Sequence, residues 1–152
     1  MSQHRTDPIL QVGYLRSCMD RRFVQATRST FEDVTGLTND QYYHEAFAGG
    51  VLNTAFPVEF PTNSPPTPDG ADYVYNNPDI PLEVMGWQAH LDHCGGLQGV
   101  PDPELRDRFL KLVNSEVLQR KYPRVRHVFL LAYEDSNHQP IVEIIEPTRA
   151  KL

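Results

Sequence analysis

Cysteine is nearly absent from this 152-residue chain, which contains only two. A disulfide framework is therefore excluded as the source of stability, and apolar burial must supply the core, which a chain of this length can do in one domain spanning residues 1–152. Long apolar runs are missing as well. No stretch approaches the length of a membrane span or of the apolar region of a signal peptide, so the expectation is a soluble protein without a membrane partner. With so little cysteine, a reducing compartment, the cytoplasm, is expected. Positive charge is also scarce: 14 Lys and Arg stand against 20 Asp and Glu, giving a formal net charge of -6 and a pI near 5.4. Arg21, Arg22 and Arg28 are interleaved with acids and form no basic stripe, which argues against nucleic acid as a partner. No internal repeat is present.

What the chain does have is a concentration of chemistry around its cysteines. Cys18-Met19-Asp20-Arg21-Arg22 lies near the start, and His90-Leu91-Asp92-His93-Cys94-Gly95-Gly96 lies far downstream. A thiolate from each cluster with one imidazole gives a soft ligand set that suits Zn2+ and leaves a fourth position for water or a carboxylate. Each residue also has a plainer reading. A free cysteine at a strand end is often a small buried hydrophobe, and Asp20 with Arg22 can be a helix-start carboxylate beside a surface cation. His4, His127 and His138 read as ordinary surface residues, and Trp87 with the tyrosines as packing.

The apolar run from Ile9 to Leu15 reads as a buried strand that delivers Cys18 to a strand end, and Arg22 to Val34 as a helix ending near Gly36. Gln41 to Phe47 is aromatic and strand-like, closed by Ala48-Gly49-Gly50, where the backbone must turn or come close to something such as a bound metal or its ligand. Many of the 13 prolines fall in residues 53–81, which read as a long loop whose Phe56, Phe60, Tyr73 and Tyr75 pack on the body or on a partner. Pro81 to Trp87 is a further strand. After Pro103, the apolar positions Leu105, Phe109, Leu112, Val113, Val117 and Leu118 share one face of a helix that ends at Lys121-Tyr122-Pro123. Val128 to Tyr133 and Ile141 to Ile145 flank a polar turn as a C-terminal hairpin. The resulting order predicts an α/β domain with a central, largely parallel β-sheet flanked by helices, and both cysteine clusters fall at carboxyl ends of strands, where such sheets gather their sites.

Cys18-Met19-Asp20-Arg21-Arg22 matches the Cys-x-Asp-x-Arg motif of the β-class carbonic anhydrases, and His90 to Gly96 resembles their His-x-x-Cys-Gly motif. Leu37-Thr38-Asn39-Asp40, followed by a strand and Ala48-Gly49-Gly50, is similar to the family's segment leading to Asn-Ala-Gly, and the closing hairpin is similar to that of short members. The resemblance implies that Cys18 and Cys94 bind zinc, that Asp20 accepts the hydrogen bond of a zinc-bound water, and that Arg22 holds Asp20. One more residue separates His90 from Cys94 than in the family motif, and Leu91 stands at the family's histidine position. His90, brought in by a bulge, is the expected ligand and His93 the alternative. Ala46-Phe47 replace the family's Arg-Asn, and the proline-rich loop stands where the family has a helix.

The implied activity is reversible hydration of CO2 to bicarbonate by a zinc-bound hydroxide, zinc lowering the pKa of water from about 15.7 toward about 7. If Arg22 turns away, Asp20 can become the fourth ligand and close the site. His44 or His93 could shuttle protons. Hydrolysis of COS or CS2 at the same site is one alternative. A catalytically silent zinc-binding relative with a regulatory or binding role is another, and a metal-free relative whose loop serves a protein partner is a third. Family members are generally dimers or larger, so the resemblance implies a homodimer or higher homo-oligomer.

Overall fold

Runs of apolar and aromatic residues alternate with helical periodicity along the chain, and in the computed structural model, which describes residues 10–52, 70–97 and 99–148, they form one mixed sheet with helices on both faces. The elements are β1 (Gly13–Cys18), α1 (Arg21–Thr35), β2 (Tyr42–Phe47), α2 (Gly70–Asn76), β3 (Val84–His90), α3 (Asp102–Asn114), α4 (Val117–Lys121), β4 (Arg126–Glu134) and β5 (Pro140–Ile145). Short 3-10 turns lie at Gly50–Leu52 and Gly95–Leu97. The strand order is β2-β1-β3-β4-β5; neighbours are parallel except β5, which returns antiparallel to β4.

The central strands β1 and β3 are buried along their whole length, as parallel strands covered on both faces must be. Helix α1 covers one face, burying Phe23, Thr27 and Phe31 at four-residue spacing, and Phe31 packs with Leu15, Tyr42, Val84, Val128 and Leu130. Helices α2, α3 and α4 cover the other face, where Val74, Phe109 and Leu118 meet Tyr14, Met85 and Trp87. Among the described residues no helix is long and apolar enough to cross a membrane.

Several sequence expectations need correction. The first strand runs from Gly13 to Cys18, later than its apolar run, because the polar Arg16 and Ser17 are fully buried within it. Residues 70–76 of the expected loop form α2, anchored by the Tyr122 hydroxyl donating to Asp72 Oδ1 at 2.7 Å; Phe56 and Phe60 lie outside the described residues. The helix after Pro103 is two helices. Ser115 Oγ donates back to the Leu112 carbonyl and Glu116 adopts a left-handed φ of 57°, so the chain breaks before α4. The strand expected to end at Trp87 continues through His90. His127 is no free surface group: its Nδ1 accepts from Trp87 Nε1 at 3.0 Å, and its Nε2 lies 2.9 Å from the Tyr122 carbonyl.

Candidate metal centre

Strands β1 and β3 pair in register only from Gly13–Val84 to Arg16–Trp87 and then part. The buried Gln88 side chain spans the gap: its Oε1 accepts from the Cys18 N–H at 2.9 Å and its Nε2 donates to Thr27 Oγ1 at 3.1 Å. The Gly50–Leu52 turn sits in the same fork. Gly50 has φ 58°, and a side chain there would meet Cys18 N at 2.9 Å and collide with the Gln88 carbonyl oxygen, so the position demands glycine. This fork is where the strand order reverses, with β2 on one side of β1 and β3 on the other, and such switch points form crevices at the carboxyl ends of strands. Cys18 is the last residue of β1 and His90 the last of β3.

The His90 ring is set by its neighbours. Nδ1 lies 2.6 Å from the Leu91 carbonyl, the geometry of an Nδ1–H donor, and Nε2 faces Cys18 Sγ at 3.1 Å. Phe23 packs against the ring at a centroid distance of 4.9 Å. The bulge expected between His90 and Cys94 consists of two successive left-handed residues, Asp92 (φ 61°) and His93 (φ 76°), a conformation to which Asp and His are among the better suited. Cys94 Sγ thereby comes to 4.0 Å from Cys18 Sγ. The following Gly96 lies so close to the Ala48-Gly49 turn that a side chain would sit 2.6 Å from Gly49 N. The Gly49 N–H of that turn donates to Cys18 Sγ at 3.4 Å.

The donor atoms of Cys18, His90 and Cys94 all lie within 4.8 Å of one another, and the three residues are buried. Tetrahedral zinc with usual Zn–S and Zn–N lengths requires S···S edges of about 3.8 Å and S···N edges of about 3.5 Å. The observed S···S distance of 4.0 Å is slightly long and the S···N distance of 3.1 Å slightly short for those edges, so with a small adjustment the three residues could hold a metal ion, and the soft donors are of the kind that take zinc. His93, the alternative ligand, lies outside this group; its carbonyl faces Arg22 Nη2 at 3.4 Å.

The hydrogen bond from the Cys94 thiol holds the Cys18 pKa below the ordinary thiol value, opposed by burial and aided by His90 and the Gly49 N–H. Cys94 is pushed up in turn, first by its bond to Cys18 and then by burial. Burial alone would lower the His90 pKa, but its bond to Cys18, the thiolate charge, the Leu91 carbonyl and Asp20 together raise it.

Asp20 is the N-cap of α1, accepting from Arg22 N at 3.0 Å. The Arg22 side chain folds back on the same carboxylate, with Nε to Oδ1 at 3.1 Å and Nη2 to Oδ2 at 2.8 Å, a two-pronged pairing that fixes the carboxylate plane. These bonds hold the Asp20 pKa below the ordinary carboxylate value. Asp20 Oδ2 lies 3.8 Å from His90 Nε2, so the pair stands directly beside the cluster. His44 has no comparable role. Its Nε2 is 2.7 Å from Ser17 Oγ and its Nδ1 3.3 Å from Arg28, and burial followed by the Arg28 charge lowers its pKa to about 4, leaving it neutral and engaged at both nitrogens.

The turn at Ala48-Gly49-Gly50, expected to come close to a metal or its ligand, does so through the Gly49 N–H on Cys18 Sγ. Gln88 is a support that the sequence reading does not single out, although a glutamine within an apolar strand is a signal for it. No protein-family model matches the chain, and neither curated proteins nor solved structures contain a significant match to it.

Proposed function

We propose that the protein is a zinc-dependent hydro-lyase that interconverts CO2 and bicarbonate, in the manner of the β-class carbonic anhydrases that its two motifs resemble. The observation that carries this reading is the Asp20–Arg22 pair beside a three-donor cluster that Asp20 does not join. Cys18, His90 and Cys94 hold the metal, and a zinc ion there supplies the Lewis acidity that makes water nucleophilic near neutral pH. Arg22 keeps Asp20 ionised and fixes the plane of its carboxylate. Asp20 can therefore accept a hydrogen bond from a water beside the cluster and orient it toward a small substrate. Beside Cys94 a cavity of about 550 Å³ is lined by His93, Leu97, Val100 and Pro101, wide enough and apolar enough to admit an uncharged triatomic molecule.

Zinc content of the native chain and stopped-flow CO2 hydration from about pH 6.5 to 9 test this reading. The expected result is about one zinc per chain with hydration rising through neutral pH, and an Asp20→Asn variant that keeps its zinc while hydration collapses. A zinc-loaded chain without turnover, or full turnover in Asp20→Asn, refutes it.

A further inference from the structure

Arg22 is gripped from the side away from Asp20 as well. Its Nη1 donates to Glu134 Oε1 at 2.8 Å and its Nη2 to the Asp92 carbonyl at 2.6 Å. Glu134 is the last residue of β4, and its own N–H donates to Asp92 Oδ2 at 2.6 Å. The Asp92 N–H in turn donates to Asp102 Oδ1 at 2.9 Å, at the start of α3. The end of β4 and the left-handed turn before Cys94 thus form one brace around a guanidinium drawn from α1. Such a brace matters because an arginine side chain has many rotamers and holds one of them only where several acceptors converge. Glu134 is its only charged acceptor besides Asp20 among the described ion pairs. The Glu134 side chain is 20% exposed and that of Arg22 38%, so solvent can replace the contact if it is lost.

We propose that Glu134 is a positioning residue: by holding Nη1 it keeps Arg22 on Asp20, and so keeps the Asp20 carboxylate out of the Cys18–His90–Cys94 cluster. The inference rests on the metal-centre reading given above. With Glu134 removed, Arg22 leaves Asp20 more often, and a carboxylate whose Oδ2 is already 3.8 Å from His90 Nε2 competes for the position a small ligand needs. Apparent affinity for any such ligand then falls by the fraction of molecules that remain open.

The test uses the full chain loaded with Co2+ in place of zinc, with azide as the probe and the cobalt visible bands as readout. Glu134→Ala weakens azide binding about threefold to fivefold, the scale of a partly exposed ion pair. Glu134→Gln, which keeps an acceptor oxygen, weakens it less. In an Asp20→Asn background, where no carboxylate can compete, adding Glu134→Ala changes azide affinity little. Wild-type azide affinity in Glu134→Ala, or an undiminished effect in the Asp20→Asn background, overturns the proposal. A wild-type chain that binds no cobalt instead overturns the metal-centre reading on which it stands.

Discussion

Deleting His90 separates a metal centre built on that residue from one built on His93. An ion that binds only the folded chain, present at about a hundred times its dissociation constant, stabilises it by about 2.7 kcal/mol. For 152 residues the unfolding entropy at the midpoint is about 0.32 kcal/mol/K, so zinc should raise the melting temperature of the chelator-stripped wild type by about 8 °C. His90→Ala removes the nitrogen 3.1 Å from Cys18 Sγ and leaves two thiols. A hundredfold loss of affinity reduces the stabilisation at the same zinc concentration to about 0.4 kcal/mol, or about 1 °C. His93→Ala, whose carbonyl rather than ring meets the site's Arg22, should keep nearly the full rise. Because His90→Ala also empties the space against Phe23, each variant is compared with and without zinc by scanning calorimetry under reducing conditions. A wild-type chain that gains nothing from zinc, or a His93→Ala chain that loses the rise while His90→Ala keeps it, refutes the reasoning.

Three further outcomes follow from the geometry. Gly96→Ala places a side chain 2.6 Å from Gly49 N and 2.7 Å from the Ala48 carbonyl oxygen. Backbone cannot yield cheaply there, so the variant should lose about 1–3 kcal/mol in denaturant titration together with part of its zinc affinity; unchanged stability would contradict the close approach. Gln88→Leu strands the buried Cys18 N–H and should destabilise by about 1–3 kcal/mol, which thermal unfolding can read. His44 stays neutral when folded, with its pKa lowered to about 4 by burial and then by Arg28, whereas the unfolded chain protonates it near about 6.5. Stability is therefore whole above about pH 6.5 and is lost as pH falls toward 4, by about 1–2 kcal/mol after allowing for its partial exposure. His44→Gln should flatten this part of the stability profile; an unchanged slope would show that another group carries it.

The elements read most easily from the sequence were those with local causes. Helix α1 is bounded by Asp20, which caps it, and by Gly36, whose φ of 76° ends it, and both residues announce these roles in the sequence. The hairpin of β4 and β5 showed its two apolar runs and polar turn. Burial without hydrophobicity was harder to see: Arg16, Ser17, Gln88 and His90 are all buried, so the apolar runs stop at Leu15 and Trp87, short of the strand ends at Cys18, which the sequence does place at a strand end, and at His90. The break between α3 and α4 was hidden because Val117 and Leu118 continue the apolar periodicity that Ser115 and Glu116 interrupt.

The sequence by itself determined the donor chemistry, two thiols and a choice of imidazoles, and it set Asp20 at a helix start with Arg22 two positions on, where a cap and a cation need only the first turn of the helix to meet. Only the tertiary structure decided which imidazole joins the thiols. Cys18 is 72 positions from His90 and 76 from Cys94, and their meeting depends on β1 and β3 being sheet neighbours that part at Gln88. It depends equally on Asp92 and His93 turning left-handed under the hold of Glu134 N, Asp102 and Arg22. Strand order and the grip on a turn are properties of distant residues acting together, and no local spacing rule contains them.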